Sequence, residues 1–102
     1  MIAREKIYEL IAEELKEANE KYPLFHSPHE AYAVLKEEVE EAQYDMNRIN
    51  DFMGGMWVNV RNDMCIEDGA DSIYAHAVNC IRELIQVCAM CDKIKQSNLY
   101  EE

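Results

Sequence analysis

Three long stretches of this chain place apolar residues three and four positions apart, and almost nothing interrupts them. Only three Gly and two Pro occur in 102 residues, too few punctuators to separate many short strands. A chain patterned this way forms a few long helices around one core, and its length is that of one domain. The expectation is one all-α domain over residues 1–102, a helical bundle of three long helices plus a short one.

From Ile2 to Asn19, the residues Ile7, Leu10, Ile11, Leu15 and Ala18 mark one buried stripe with Glu and Lys opposite, which predicts the first helix. Tyr22-Pro23 ends it, because proline disfavours helical geometry in its predecessor and donates no backbone bond. After a loop from Tyr22 to His26, Ser27-Pro28-His29-Glu30 is a helix start: serine at the N-cap, proline at the first helical position, glutamate completing a capping box. The second helix carries Ala31, Leu35, Val39, Ala42, Met46 and Ile49 on its apolar face and is expected to reach Asn50, with Gly54-Gly55 ending any continuation. Between Asp51 and Asp68 a loop with a short helix is expected, and Trp57 with its neighbouring methionines is read as core. Asp68 or Asp71 can cap the last long helix, whose stripe Ile73, Ala77, Cys80, Ile81, Leu84, Cys88 and Cys91 persists to Lys95. Tyr74, Val78 and Ile85 give that helix a second apolar side, which predicts a central position or an oligomer interface. The tail from Gln96 to Glu102 is expected to fray.

A formal net charge of −11 opposes binding to phosphate backbones, whose affinity for proteins comes from Lys and Arg displacing condensed counterions. Nucleic acid is therefore not an expected partner. No apolar run is long enough to cross a bilayer, and Met1 to Lys6 already carries charge inside a helical pattern. The expected location is cytoplasmic, with no leader and no membrane partner. A reducing cytosol keeps thiols free, and Cys65, Cys80, Cys88 and Cys91 are read as buried small hydrophobes. Cys88 and Cys91 form a C-x-x-C, but no second pair follows at ligand spacing.

Chemistry can reside in two polar strips. On helix two, Glu30, Glu37, Glu38, Glu41 and Asp45 fall along one flank beside the apolar stripe. Like charges three or four apart repel by roughly a few tenths of a kcal/mol per pair, and only Lys36 and Arg48 are basic between Ala31 and Asn50. Two readings fit. One is a solvated acidic face screened by salt; the other is a site for a hard cation such as Mg²⁺, which prefers carboxylate oxygens and keeps waters that can meet a phosphate. On the last helix, His76, Asn79, Glu83 and Gln86 make a narrow polar strip along an otherwise apolar element. A buried unpaired polar group costs about 1–3 kcal/mol, so this strip should face ligand, water or other polar side chains. If the two helices pack together, Glu83 approaches Glu38 and Glu41, and a metal between them relieves repulsion that protonation would otherwise relieve. A ferritin-like di-iron site is excluded, since none of His26, His29 or His76 follows a glutamate by three positions. His29, in the first turn of helix two, is a structural or polar-contact residue rather than a catalytic base.

Two segments, Ser27 to Glu41 (SPHEAYAVLKEEVEE) and Arg82 to Met90 (RELIQVCAM), resemble the MazG-like all-α nucleoside triphosphate pyrophosphohydrolases, especially a small branch common in phage and prophage genomes. The resemblance spans both long helices. In that superfamily a Glu-Glu-x-x-Glu on one helix and a Glu-x-x-Asp on a later one bind Mg²⁺, and the enzyme cleaves a nucleoside triphosphate to monophosphate and pyrophosphate. The resemblance implies Mg²⁺, with Mn²⁺ as a substitute, held by Glu38, Glu41, Glu83 and Gln86. It also implies Glu37 or Asp45 as the residue orienting the attacking water, and a homodimer or homotetramer. His29, His76 and Asn79 are the substrate-contacting candidates. Gln86 stands where the superfamily's closing aspartate belongs; its amide oxygen can touch a hard cation, but one negative charge is lost, which weakens affinity. The alternative expectation is a non-catalytic helical oligomer that keeps the fold and binds a nucleotide or a protein through a degenerate metal site.

Overall fold

Ser27 starts the longest element as its side chain dictates. Its hydroxyl accepts a hydrogen bond from the Glu30 backbone N–H at 3.1 Å, Pro28 follows, and the Glu30 carboxylate accepts from the His26 N–H at 3.2 Å. In the structure, a computed structural model describing residues 1–100, three helices follow in order: α1 (Arg4–Lys21), α2 (Pro28–Arg61) and α3 (Glu67–Gln96). No strand occurs among the described residues, and none of their helices is long and apolar enough to cross a membrane.

The expected stop at Gly54-Gly55 and the separate short helix are not found. α2 runs unbroken for 34 residues, through the glycine pair to Arg61. Two interior glycines cost about 1 kcal/mol each relative to alanine, and the packing of Phe52, Met56 and Asn59, all half-buried, carries the helix across them. Termination falls instead at Asn62 and Asp63. The Asn62 side chain donates to the Val58 carbonyl at 2.8 Å, and Asp63 takes the left-handed φ of 54° that ends the helical path. Asn59 then ties the connection down by donating to the Cys65 carbonyl at 3.0 Å. α3 starts at Glu67, ahead of both aspartates proposed as its cap, with Ile66 at the N-cap position and no side chain capping it. Gly69 sits where α3 first closes on α2: a Cβ there would stand 2.5 Å from the Met56 Cγ.

α2 and α3 form a long antiparallel hairpin, and α1 covers only one end of it. The backbones of α1 and α2 each approach α3 but do not come within 8 Å of one another. The core lies at the covered end, where Ile11 of α1, Phe25 of the link, Ala31 of α2, and Ala89 and Met90 of α3 are buried together. Part of the expected tail has defined contacts in residues 97–100. They continue as turns, Leu99 packs on the core, and the Ser97 hydroxyl accepts from the Phe25 N–H at 3.0 Å while donating to the Lys93 carbonyl at 2.7 Å. The rest of that expected tail, residues 101–102, lies outside the described residues.

Both long helices are rolled in part: Ala31, Leu35, Ala42 and Ile49 of the face expected on α2, and Ile73, Ala77 and Cys80 of that on α3, lie inward, but the rest of each stripe does not. On α2, Ala31, Ala42 and Asp45 are buried, with Glu38 and Ile49 half-buried, whereas Val39 and Met46 are exposed. On α3 the inward line is Ile73, His76, Cys80, Glu83 and Met90, while Ile81, Leu84, Cys88 and Cys91 face out. Of the cysteines only Cys80 is buried, its thiol 3.6 Å from the Ala42 carbonyl oxygen. Trp57, expected in the core, is 59% exposed. Glu38 and Asp45 of one polar strip and His76, Glu83 and Gln86 of the other thus turn inward, while Glu30, Glu37, Glu41 and Asn79 stay exposed and apolar stripes are left outside.

Candidate functional site

Because α1 and α2 stand apart over α3, a cavity of ≈ 530 Å³ opens between the three helices. α2 contributes Glu38 and Glu41, and α3 contributes Asn79, Arg82, Glu83 and Gln86. Five residues expected to share a site are therefore brought together: Glu38, Glu41, Asn79, Glu83 and Gln86. α1 supplies three that were not anticipated, Glu13, Glu14 and Glu17. Their signal was present, since Glu13-Glu14-Leu15-Lys16-Glu17 repeats the Glu-Glu-x-x-Glu spacing of Glu37 to Glu41. That spacing puts the first, second and last carboxylates on adjoining positions of one helix surface. Arg82, also unanticipated, is the one cationic side chain on these walls.

The electrostatics are those of a site short of positive charge. Burial pushes the Glu38 carboxyl above its ordinary 4.5, and the charges of Glu41, Glu37 and Glu14 add to the rise, against a smaller opposing effect of the Gln86 amide. Glu83 is raised in the same sense, first by burial, then by a hydrogen bond with Asp45 and by the charges of Asp45, Glu41 and Glu38. Two buried oxygens, Glu83 Oε2 and Gln86 Oε1, have no hydrogen-bond partner. Orphaned acceptors among like charges are unfavourable unless a proton or a cation reaches them.

This donor set fits a hard cation: only oxygens are offered, most of them anionic. Among the described residues, no three His, Cys, Asp or Glu side chains close around a single point. Mg²⁺ does not require that, because it keeps several waters and takes one or two carboxylates directly. Glu38, Glu41, Glu83 and Gln86 are the residues of this cavity whose oxygens would hold it.

The remaining expected residues lie elsewhere. Glu37 faces a second cavity on the other side of Glu38. Asp45 lines neither cavity: it is 4% exposed, and its Oδ1 lies 2.8 Å from Nδ1 of His76. His76 in turn stacks on Phe52 at 5.8 Å, with the Arg48 guanidinium 5.3 Å from the same ring's centre. This cluster sets the Asp45 carboxylate next to Glu83, whose carboxyl it helps to raise. His29 is exposed on the first turn of α2 and borders neither cavity.

No family model, no curated protein and no solved structure matches the chain.

Proposed function

We propose that this chain is a Mg²⁺-dependent nucleoside triphosphate pyrophosphohydrolase of the MazG-like kind, active as a homodimer or homotetramer. The observation that carries the reading is the cavity lined by Glu38, Glu41 and Glu83, on whose α3 wall Glu83 Oε2 and Gln86 Oε1 are buried without any donor. In the proposed reaction, water adds to the α-phosphoryl group, the bond to the β-phosphoryl group breaks, and monophosphate and pyrophosphate leave. Mg²⁺ would supply charge neutralisation on the phosphoryl oxygens and a more acidic water. Glu38, Glu41, Glu83 and Gln86 would anchor it, Glu37 would orient the attacking water, and Asn79 would contact the substrate. Arg82 would meet charge on the departing pyrophosphate. Asp45, enclosed with His76, serves here as a positioning residue for Glu83.

Purified protein incubated with a panel of standard and modified nucleoside triphosphates, with Mg²⁺ or Mn²⁺, should release pyrophosphate from at least one. No release from any of them at high protein concentration would sink the proposal. Glu38→Gln and Glu41→Gln should each lower turnover by about two orders of magnitude or more, the scale seen when one transition-state charge partner is removed. The second reading, a non-catalytic helical oligomer that binds a nucleotide or a protein, is favoured by one residue, the neutral Gln86 in the ligand set. It predicts metal or nucleotide binding by calorimetry with no turnover.

A further inference from the structure

The acidic cavity leaves one charged group unused. Lys93 is 3% exposed, yet among the described residues no carboxylate forms an ion pair with its ammonium. A lysine stem is seldom buried this far, and here it carries an ammonium that reaches the wall of the second cavity with no carboxylate of the described residues at ion-pair distance. The ring of Phe25, 5.1 Å from Nζ, presents its negative face to that ammonium. Both side chains line the second cavity, ≈ 550 Å³, which shares Glu14, Glu17, Glu38 and Gln86 with the acidic one. The two cavities are therefore adjoining lobes of one groove, acidic at one end and carrying a cation over an aromatic ring at the other.

A bare anion fits this second lobe poorly, because five carboxylates, Glu14, Glu17, Glu30, Glu37 and Glu38, share its walls, and the other basic groups there, Lys21 and His26, already face Glu17 and Glu30. An anion arriving with a divalent cation fits both lobes, since the cation meets the carboxylates while uncoordinated oxygens reach the ammonium. We propose that Lys93 binds phosphoryl oxygens of a metal-complexed polyphosphate lying along the groove from the acidic lobe to Phe25. The inference rests on the cation-dependent reading of the acidic cavity. Its chemistry is shared by nucleoside triphosphates and inorganic pyrophosphate.

The test is calorimetry on the full chain with two probes, pyrophosphate and a nonhydrolysable nucleoside triphosphate, each with and without Mg²⁺. The wild type should bind with Mg²⁺ and not without it. Lys93→Met should weaken binding about tenfold or more, as loss of a charge-assisted hydrogen bond does, while Lys93→Arg retains most of the affinity. The melting temperature of Lys93→Met without ligand should equal or exceed that of the wild type; if that variant does not fold, Lys93→Gln is judged by the same binding criterion. Weakening for both probes assigns the contact to the phosphoryl chain common to them, and weakening for the nucleotide alone assigns it to a group that pyrophosphate lacks and overturns the proposal. Unchanged affinity on loss of the ammonium, or no binding of either probe by the wild type, also overturns it. Turnover separates this inference from the enzymatic reading. Hydrolysis lost in Glu38→Gln but with binding untouched in Lys93→Met removes Lys93 alone, whereas Lys93-dependent pyrophosphate binding without any hydrolysis removes the enzyme and leaves this site.

Discussion

Glu83 receives opposing demands from its surroundings. α3 buries it, Asp45 stands behind it, and Glu38 and Glu41 stand before it, so its carboxyl and that of Glu38 are both raised above 4.5. A carboxyl raised in the folded state binds its proton more tightly there than in the unfolded chain, so folding takes up protons. The stabilisation from these two groups is thus complete below pH 4.5 and is lost as pH rises through their elevated values. We predict that urea-unfolding stability without metal falls as pH rises from about 4.5 towards neutrality. Glu83→Gln should flatten this slope and raise stability at pH 7, and Asp45→Asn should move the Glu83 titration, followed by carboxyl NMR shifts, back towards 4.5. Added Mg²⁺ should restore neutral-pH stability to the wild type and not to Glu83→Gln. A wild-type curve that rises over this range, or is indifferent to Mg²⁺, contradicts the arrangement of charges described here.

At the level of single helices, the start of α2 and its continuation can be tested separately. Ser27→Ala removes the acceptor for the Glu30 N–H and should lower stability by about 1 kcal/mol in urea unfolding. Gly54→Ala and Gly55→Ala should each raise it by about 0.5–1 kcal/mol, because both positions are helical and an added Cβ meets nothing within 4 Å. A loss at either position would instead place the glycine pair in contact with another chain. These sites also show what could be read without coordinates. The Ser27-Pro28 start and the Tyr22-Pro23 stop were legible, because capping and proline geometry are local. The passage of α2 through Gly54-Gly55 was not, since its support comes from Phe52 and Met56 lying against a helix distant in sequence. The roll of the helices was hidden for a similar reason: Val39 and Met46 on α2, and Ile81 and Leu84 on α3, have core-like spacing, yet Glu38, Asp45 and Glu83 take the inner positions. That Glu38, Glu41 and Glu83 line one cavity could be anticipated from two strips in two helices. The third wall, Glu13 to Glu17, had the same spacing, but only the placement of α1 across the hairpin shows that it joins them.

The molecule as a whole is too extended for its mass. Its radius of gyration is 17.8 Å, against about 13 Å for a compact chain of this length. Its accessible surface of 7865 Å² exceeds by about 2,000 Å² the roughly 5,900 Å² that a folded monomer of this mass exposes. An excess of that size is what a subunit of an obligate dimer hides, since such interfaces bury about 1,000–2,500 Å² per partner. The surplus is apolar in the half of the hairpin that α1 leaves uncovered. Met53, Trp57 and Val60 are exposed along α2, and Tyr74, Val78 and Ile81 along α3. A two-helix hairpin has no second layer against which to bury such stripes, and a second copy of this chain would supply one. We predict that the protein sediments as a dimer or tetramer at micromolar concentration, with a melting temperature that rises with concentration. Ile81→Glu and Met53→Glu place a charge on the stripes without touching the acidic cavity, so each should shift the sedimenting species towards monomer. Melting should fall with that shift, because the α2–α3 tip loses the layer that covers it, while the core around Ile11, Phe25 and Met90 remains within one chain. A wild-type monomer with a concentration-independent melting temperature would leave the uncovered stripes without a partner and remove the oligomer from the proposed function.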